Sequence, residues 1–142
     1  YIDIGKKEGK LELAQPIPEG LAEKTGRDYI APHIFSGITR DHIIAQEEIF
    51  GPVLVIIPFE NEAEAIAIAN DTPYGLAAYL QTGDATRAIR VAAQLRAGAV
   101  HVNGGGYNYG SPFGGYKQSR NGREGGLMGL DDFLETKTLH GI

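Results

Sequence analysis

The clearest pattern in the chain is an unbroken β-branched and aliphatic run, Val53 to Ile57. No polar residue alternates within it, which is how a strand covered on both faces reads. Asn61 then suits a helix cap, and Glu62 to Ala69 carries Ala63, Ile66, Ala67 and Asn70 towards one side at helical spacing. Pro73 stops that helix, and Gly75 to Leu80 reads as a second strand. Asp84 caps the next helix, whose apolar stripe is Ala85, Ala88, Ile89, Ala92 and Leu95, with Gly98 placed as its C-terminal cap. Ala99 to Asn103 is a third strand. Strand, helix, strand, helix, strand predicts an α/β fold, a βαβαβ parallel sheet with right-handed crossover helices.

The flanks are less regular. Residues 1–28 are polar and broken by Gly and Pro, with a short strand over Leu11 to Ala14. Tyr29 to Ser36 reads as an extended piece interrupted by Pro32, which suits a sheet edge. Asp41 to Glu48 holds a brief helical turn. After Asn103 the chain turns Gly-rich and aromatic, with Tyr107, Tyr109, Phe113 and Tyr116 among ten glycines between Gly104 and Gly129. A short helix from Glu124 to Phe133 and a terminal strand over Glu135 to His140 complete the reading.

Composition narrows the function classes. The 142 residues and net charge of −5 fit one domain, and a domain of that length buries roughly 70% of its unfolded surface. An acidic balance argues against nucleic-acid binding, where a basic stripe is expected. The longest apolar run is far short of the roughly 20 residues of a membrane span. With no cysteine there is no disulfide, thiolate metal site or cysteine nucleophile in this chain. The absence of cysteine and of a secretory leader fits the cytoplasm. The only methionine is Met128, and Tyr1 opens the chain in mid-pattern, so a fragment of a longer protein is expected.

Candidate chemistry sits in three places. The strand ending at Asn103 runs into the loop ending at Gly115, where glycines admit a close ligand and rings could wall a pocket. The other reading is a surface loop whose tyrosines pack on their own protein. Glu48 and Phe50 are two apart and point the same way if the backbone is extended. A carboxylate beside an aromatic face could grip a sugar hydroxyl and a flat ring; an exposed acid and a core Phe is the simpler reading. Lys117, Arg120 and Arg123 could meet a phosphate, or form a solvated turn paired with Asp131 and Asp132. The four histidines show no metal spacing, and His101, alternating with valines, reads as structural. Neither a dinucleotide GxGxxG fingerprint nor a phosphate-loop signature is present, which disfavours a simple nucleotide-binding domain.

Five segments carry a resemblance: Glu47 to Val53 (EEIFGPV), Ala69 to Leu76 (ANDTPYGL), Gly98 to Asn103 (GAVHVN), Ser111 to Lys117 (SPFGGYK) and Asn121 to Glu124 (NGRE). In this order and spacing they resemble the C-terminal part of the NAD(P)-dependent aldehyde dehydrogenase superfamily, from about Gly5 to His140. The family oxidises aldehydes to carboxylic acids through a cysteine thiolate, with hydride transfer to nicotinamide and hydrolysis by a glutamate-activated water. The nucleophile and general base lie upstream of the matched stretch, so the resemblance implies no catalytic residue in this chain and an inactive isolated fragment.

The resemblance implies that Glu48 bonds the nicotinamide ribose hydroxyls and that Phe50 lies beside the nicotinamide of NAD or NADP. It implies that Phe113 lines the aldehyde pocket, with Tyr107 and Tyr109 in the loop that shapes it, while Asn103 and Pro112 hold that loop. Residues 1–133 would be a partial catalytic domain, and 134–142 an oligomerisation tail pairing with a neighbouring subunit in a homodimer or homotetramer. The implied partners are an aldehyde and the remainder of the parent polypeptide, with no nucleic acid and no membrane. The alternative is a separately encoded, non-catalytic oligomerisation or binding module. Two positions depart from the family pattern. Arg120 stands where Gly is usual, so a turn needing positive φ would be strained, and His33 stands where Thr is usual.

Overall fold

A computed structural model describes residues 1–141. The chain forms two compact units, Tyr1–Ala65 and Ile66 onward.

The first unit opens with a helix that the sequence pattern does not reveal, α1 (Ile2–Glu8), followed by β1 (Lys10–Ala14), α2 (Leu21–Thr25), β2 (His33–Ser36), α3 (Ile43–Gln46) and β3 (Val53–Val55). Gly5 lowers the intrinsic helix propensity of α1. Tertiary packing overrides this: Ile2 and Ile4 lie against the core of Phe35, Ile38 and Ile44. A Cβ at Gly5 would lie 2.8 Å from the Phe35 ring, so the glycine is what lets α1 approach. Glu8 closes the arrangement, its carboxylate accepting from the Ile43 and Ile44 amides at 3.0 and 3.2 Å at the start of α3.

The expected single βαβαβ sheet is not what forms. β3 pairs in parallel with β2, and β2 pairs antiparallel with β1, in the order β1-β2-β3. β2 is therefore central rather than an edge. Pro32 precedes its first residue, His33, so the missing N–H costs no ladder bond. β3 is the edge, and it is covered on one face only. Val53, Val55 and Ile57 pack on the core, whereas Leu54 and Ile56 are 56% and 49% exposed.

The unit boundary falls within α4 (Glu62–Asn70). Asn61 caps it as expected, accepting the Glu64 amide at 3.0 Å, while the Glu64 carboxylate reaches back to the Glu60 amide at 2.7 Å.

In the second unit β4 (Ala77–Leu80), α5 (Ala85–Ala92) and β5 (Ala99–Val102) alternate, and β4 and β5 pair in parallel. This is the strand-helix-strand pattern over the later part of the expected run. Asp84 caps α5, its carboxylate accepting the Arg87 amide at 3.0 Å, and this bond holds its pKa below the ordinary 3.8. The buried positions of α5 are Ala88 and Val91, and Ile89 turns outward rather than joining the stripe. The helix ends at Ala93, not Gly98.

The expected helix from Glu124 is a 3₁₀ segment, Met128–Phe133. Residues 134–141 form no ladder with this chain, and Ile142 lies outside the described residues. Among the described residues no helix is long and apolar enough to cross a membrane.

Candidate functional site

In the second unit, the loop after β5 is fixed at both ends. Asn103, at φ +51°, uses its whole side-chain amide on Thr82: Oδ1 accepts the Thr82 amide at 2.9 Å and Nδ2 donates to the Thr82 carbonyl at 2.9 Å. At the far end Phe113 and Glu124 exchange two backbone hydrogen bonds of 2.7 Å.

Between these anchors the loop packs on itself. The Tyr107 hydroxyl donates to the Ser111 carbonyl at 2.9 Å, and Asn108 Oδ1 accepts the Gly110 amide at 2.9 Å. The Tyr107 ring stands edge-on to Tyr109 at 5.9 Å and to Phe113 at 6.4 Å. All three sequence-selected rings therefore come together. Tyr107 and Phe113 also line an open cavity of about 1000 Å³, so the self-packed loop is at the same time a pocket wall. That volume lies at the upper end of the range for small-molecule sites.

The cavity has two lining residues that the linear sequence does not single out as a site. Tyr79 on β4 is in register with His101 on β5, and their rings stack with centroids 5.0 Å apart. Only the strand pairing reveals the partnership, since 22 positions separate the two residues.

The base of the loop is built from close backbone contacts. A Cβ at Gly98 would collide with the Gly114 carbonyl, and one at Gly114 with the Gly122 carbonyl. The Gly75 carbonyl accepts from Gly98 at 3.0 Å and from Tyr116 at 2.8 Å, joining the start of β4 to both. This close approach, rather than helix capping, accounts for Gly98.

The basic cluster serves the same joint. Lys117 Nζ donates to the Asn70 and Thr72 carbonyls at 2.7 and 2.9 Å. Arg123 Nη1 donates to the Gly115, Asn121 and Gly122 carbonyls at 3.0, 2.9 and 2.9 Å, and its guanidinium lies 5.8 Å from the Tyr116 ring centre. Both side chains are thus committed to backbone carbonyls, and among the described residues neither forms an ion pair with Asp131 or Asp132. Arg120 adopts φ +75° and ψ +159°, a region that is essentially glycine's.

Glu48 and Phe50 lie in the first unit, between α3 and β3. The acid before them, Glu47, accepts the Tyr1 hydroxyl at 2.8 Å. Glu48 is exposed, and its carboxylate enters no hydrogen bond or ion pair among the described residues. Phe50 is not a core residue: it is 94% exposed and sits at φ +53°. The alternation argument for same-side placement presumes extended backbone, and Phe50 departs from it. A bulky residue in this region is strained, and such strain clusters at functional sites. Among the described residues no three His, Cys, Asp or Glu side chains gather as a metal site.

Residues 1–139 match the model of the aldehyde dehydrogenase family. A 3-succinoylsemialdehyde-pyridine dehydrogenase of Pseudomonas sp is 49% identical over 138 residues, covering 95% of this chain and 29% of that protein. Among solved structures, Mycobacterium tuberculosis aldehyde dehydrogenase complexed with NAD+ is 44% identical with a TM-score of 0.86, over 94% of this chain and 27% of that one. The P. syringae indole-3-acetaldehyde dehydrogenase in complex with NAD+ and IAA is 45% identical with a TM-score of 0.88, over 96% of this chain and 28% of that one. The chain thus spans less than a third of the length of these relatives.

Proposed function

Because the chain belongs to the aldehyde dehydrogenase family, we propose that it is the C-terminal portion of an enzyme that oxidises an aldehyde to a carboxylic acid with NAD or NADP. The observation that carries the cofactor assignment is the Glu48–Phe50 segment. It offers an unengaged carboxylate two residues from an almost fully exposed aromatic ring held at positive φ. That pair fits a ribose and a flat heterocycle. The carboxylate accepts hydrogen bonds from two ribose hydroxyls, and the ring offers an apolar face. Bound NAD(P) supplies the hydride acceptor. In the second unit, Tyr107 and Phe113 line the cavity that we read as the aldehyde's, with Tyr109 packed edge-on to Tyr107.

Residues 1–133 then belong to the catalytic domain. Residues 134–142 are its oligomerisation segment, pairing with a neighbouring subunit in a homodimer or homotetramer. The half-exposed Leu54 and Ile56 support cover by the remainder of the polypeptide. The nucleophilic thiolate belongs to that remainder, because this chain has no cysteine, and the family resemblance puts the general-base glutamate there as well. The setting is cytoplasmic.

The test is NADH or NADPH formation by the full polypeptide that carries this chain. Glu48→Gln is expected to lower kcat/KM about ten- to a hundredfold, the worth of charged hydrogen bonds at about 1.5–3 kcal/mol. Unchanged kinetics across several aldehydes would remove Glu48 from the cofactor site. Turnover by the pure 142-residue chain would overturn the division of labour. A start codon directly upstream of the reading frame would favour a separate, non-catalytic module.

A further inference from the structure

We infer that Asn121 is a site of spontaneous deamidation, and that its conversion to isoaspartate loosens the Phe113–Glu124 anchor of the loop after β5. The sequence holds two Asn-Gly pairs, Asn103-Gly104 and Asn121-Gly122, and the fold treats them in opposite ways.

A glycine after asparagine leaves the following amide unshielded by a Cβ. Its nitrogen, once deprotonated, attacks the asparagine Cγ. The N–Cγ bond forms, the Cγ–Nδ2 bond breaks, and Nδ2 leaves as ammonia with a proton from water. Water then opens the cyclic imide at either carbonyl, giving aspartate or isoaspartate. Two conditions set the rate. The side chain must turn onto the amide, and the amide must give up its proton.

Asn103 fails the first condition. Its side-chain amide is bound at both ends to the Thr82 backbone, at 2.9 and 2.9 Å, and its own N–H donates to the Leu80 carbonyl at 2.8 Å. Attack by Gly104 requires both side-chain bonds to break. Asn121 meets the condition. It is exposed in a bend, and among the described residues its side-chain amide makes no hydrogen bond. The Gly122 N–H has no acceptor among them either.

The second condition also favours Asn121. Arg123 Nη1 donates to the Asn121 carbonyl at 2.9 Å. That oxygen belongs to the same peptide unit as the Gly122 nitrogen. The negative charge left by the departing proton therefore spreads onto an oxygen held by a guanidinium, which stabilises the anion.

The product falls in a crowded place. Isoaspartate routes the main chain through the former side chain and lengthens it by one carbon just before Gly122. The Gly122 carbonyl is another acceptor of Arg123, at 2.9 Å, and packs so near Gly114 that a Cβ there would collide with it. Glu124, which exchanges both anchoring hydrogen bonds with Phe113, follows two residues later. Moving the Gly122 carbonyl thus disturbs the strand end on which the loop is fastened.

The experiment ages the full polypeptide at pH 8. Chymotrypsin, cleaving after Tyr107 and Tyr116, separates the two Asn-Gly pairs. Mass spectrometry reads the exchange of amide for acid in each peptide, and isoaspartyl methyltransferase labelling identifies the isoaspartate. Asn121 is expected to react at least about tenfold faster than Asn103 in the folded protein, the worth of the two neutral hydrogen bonds that hold Asn103. In urea the two are expected to react at similar rates. Gly122→Ala is expected to slow the reaction at Asn121 at least about tenfold by shielding the amide. Its added methyl meets only Asp132 Oδ2, at 3.5 Å, so the fold is kept. Hydrogen exchange at the Phe113 and Glu124 amides is expected to quicken as isoaspartate accumulates in wild type, and to stay constant in Gly122→Ala aged alongside. An Asn121 that stays intact in the folded polypeptide, or a folded-state ratio no larger than that in urea, overturns the site. Unchanged exchange in protein rich in isoaspartate overturns its link to the loop's anchor.

Discussion

Lys117 Nζ donates to the Asn70 carbonyl across 2.7 Å, with Thr72 as its second acceptor at 2.9 Å. Asn70 in turn donates from Nδ2 to the Gln94 carbonyl and accepts the Arg96 amide at Oδ1. One cation thus satisfies carbonyls at the end of α4 and ties the turn after Phe113 to the segment that follows α5. Lys117→Met is expected to destabilise the full polypeptide by about 1.5–3 kcal/mol, the worth of hydrogen bonds to a charged group. A urea midpoint series reads this, and an unchanged midpoint would show that water replaces the ammonium.

Arg120 has the opposite sign. Its φ of +75° and ψ of +159° lie where glycine alone is unstrained, at a cost of order 1–3 kcal/mol. Arg120→Gly relieves that strain but adds unfolded-chain entropy worth roughly 0.5–1 kcal/mol. The net expectation is a gain of about 1 kcal/mol, seen as a higher urea midpoint at constant m-value. A loss would mean that the guanidinium contributes more than the backbone strain costs.

Phe50→Gly separates stability from activity. The side chain is 94% exposed and the backbone is at φ +53°, so its replacement removes strain and no core contact. Stability is expected to rise by about 1 kcal/mol while activity with NAD(P) drops at least tenfold. Full activity in this variant would leave the strain at Phe50 without a functional reason.

Gly5→Ala tests the core of the first unit. The added methyl would meet the Phe35 ring at 2.8 Å and force one element to shift. Overpacking of this kind costs about 1–3 kcal/mol, against less than 1 kcal/mol gained from helix propensity. A more stable variant would show that α1 can move away from Phe35 freely.

The α5 cap should report on acid pH. The Arg87 amide holds the Asp84 pKa below 3.8 in the folded chain. The carboxylate's contribution is therefore complete above that value and disappears as pH falls through the lower folded value. Wild type should exceed Asp84→Ala in stability at pH 6, and the gap should close on acidification below pH 3.8. A gap that persists after both states are protonated would assign the cap to dipolar rather than ionic bonding.

Local signals in the sequence served well where the physics is local. The caps at Asn61 and Asp84, the strain at Arg120 and the gathering of Tyr107, Tyr109 and Phe113 all follow from neighbours within a few residues or from the family motif. Pairing did not follow. Val53 to Val55 looks the same whether its partner is β2 or β4, because a run of aliphatic residues specifies strand but not neighbour. Helix α1 depends on Phe35, some 30 positions away, and Gly98 depends on Gly114. For the site, the motif points to Phe50, but only backbone geometry distinguishes an exposed, strained ring from a core one. The Tyr79–His101 floor needs strand register, which no local pattern contains.

The two-ended anchoring of the loop has a consequence for redesign. Asn103 locks one end to Thr82 and Phe113 locks the other to Glu124, each through paired hydrogen bonds. Segments of different length and composition can be spliced between these clasps while the strands beneath keep their register. The stretch from Gly104 to Pro112 is thus held by its two clasps rather than by its own length or composition.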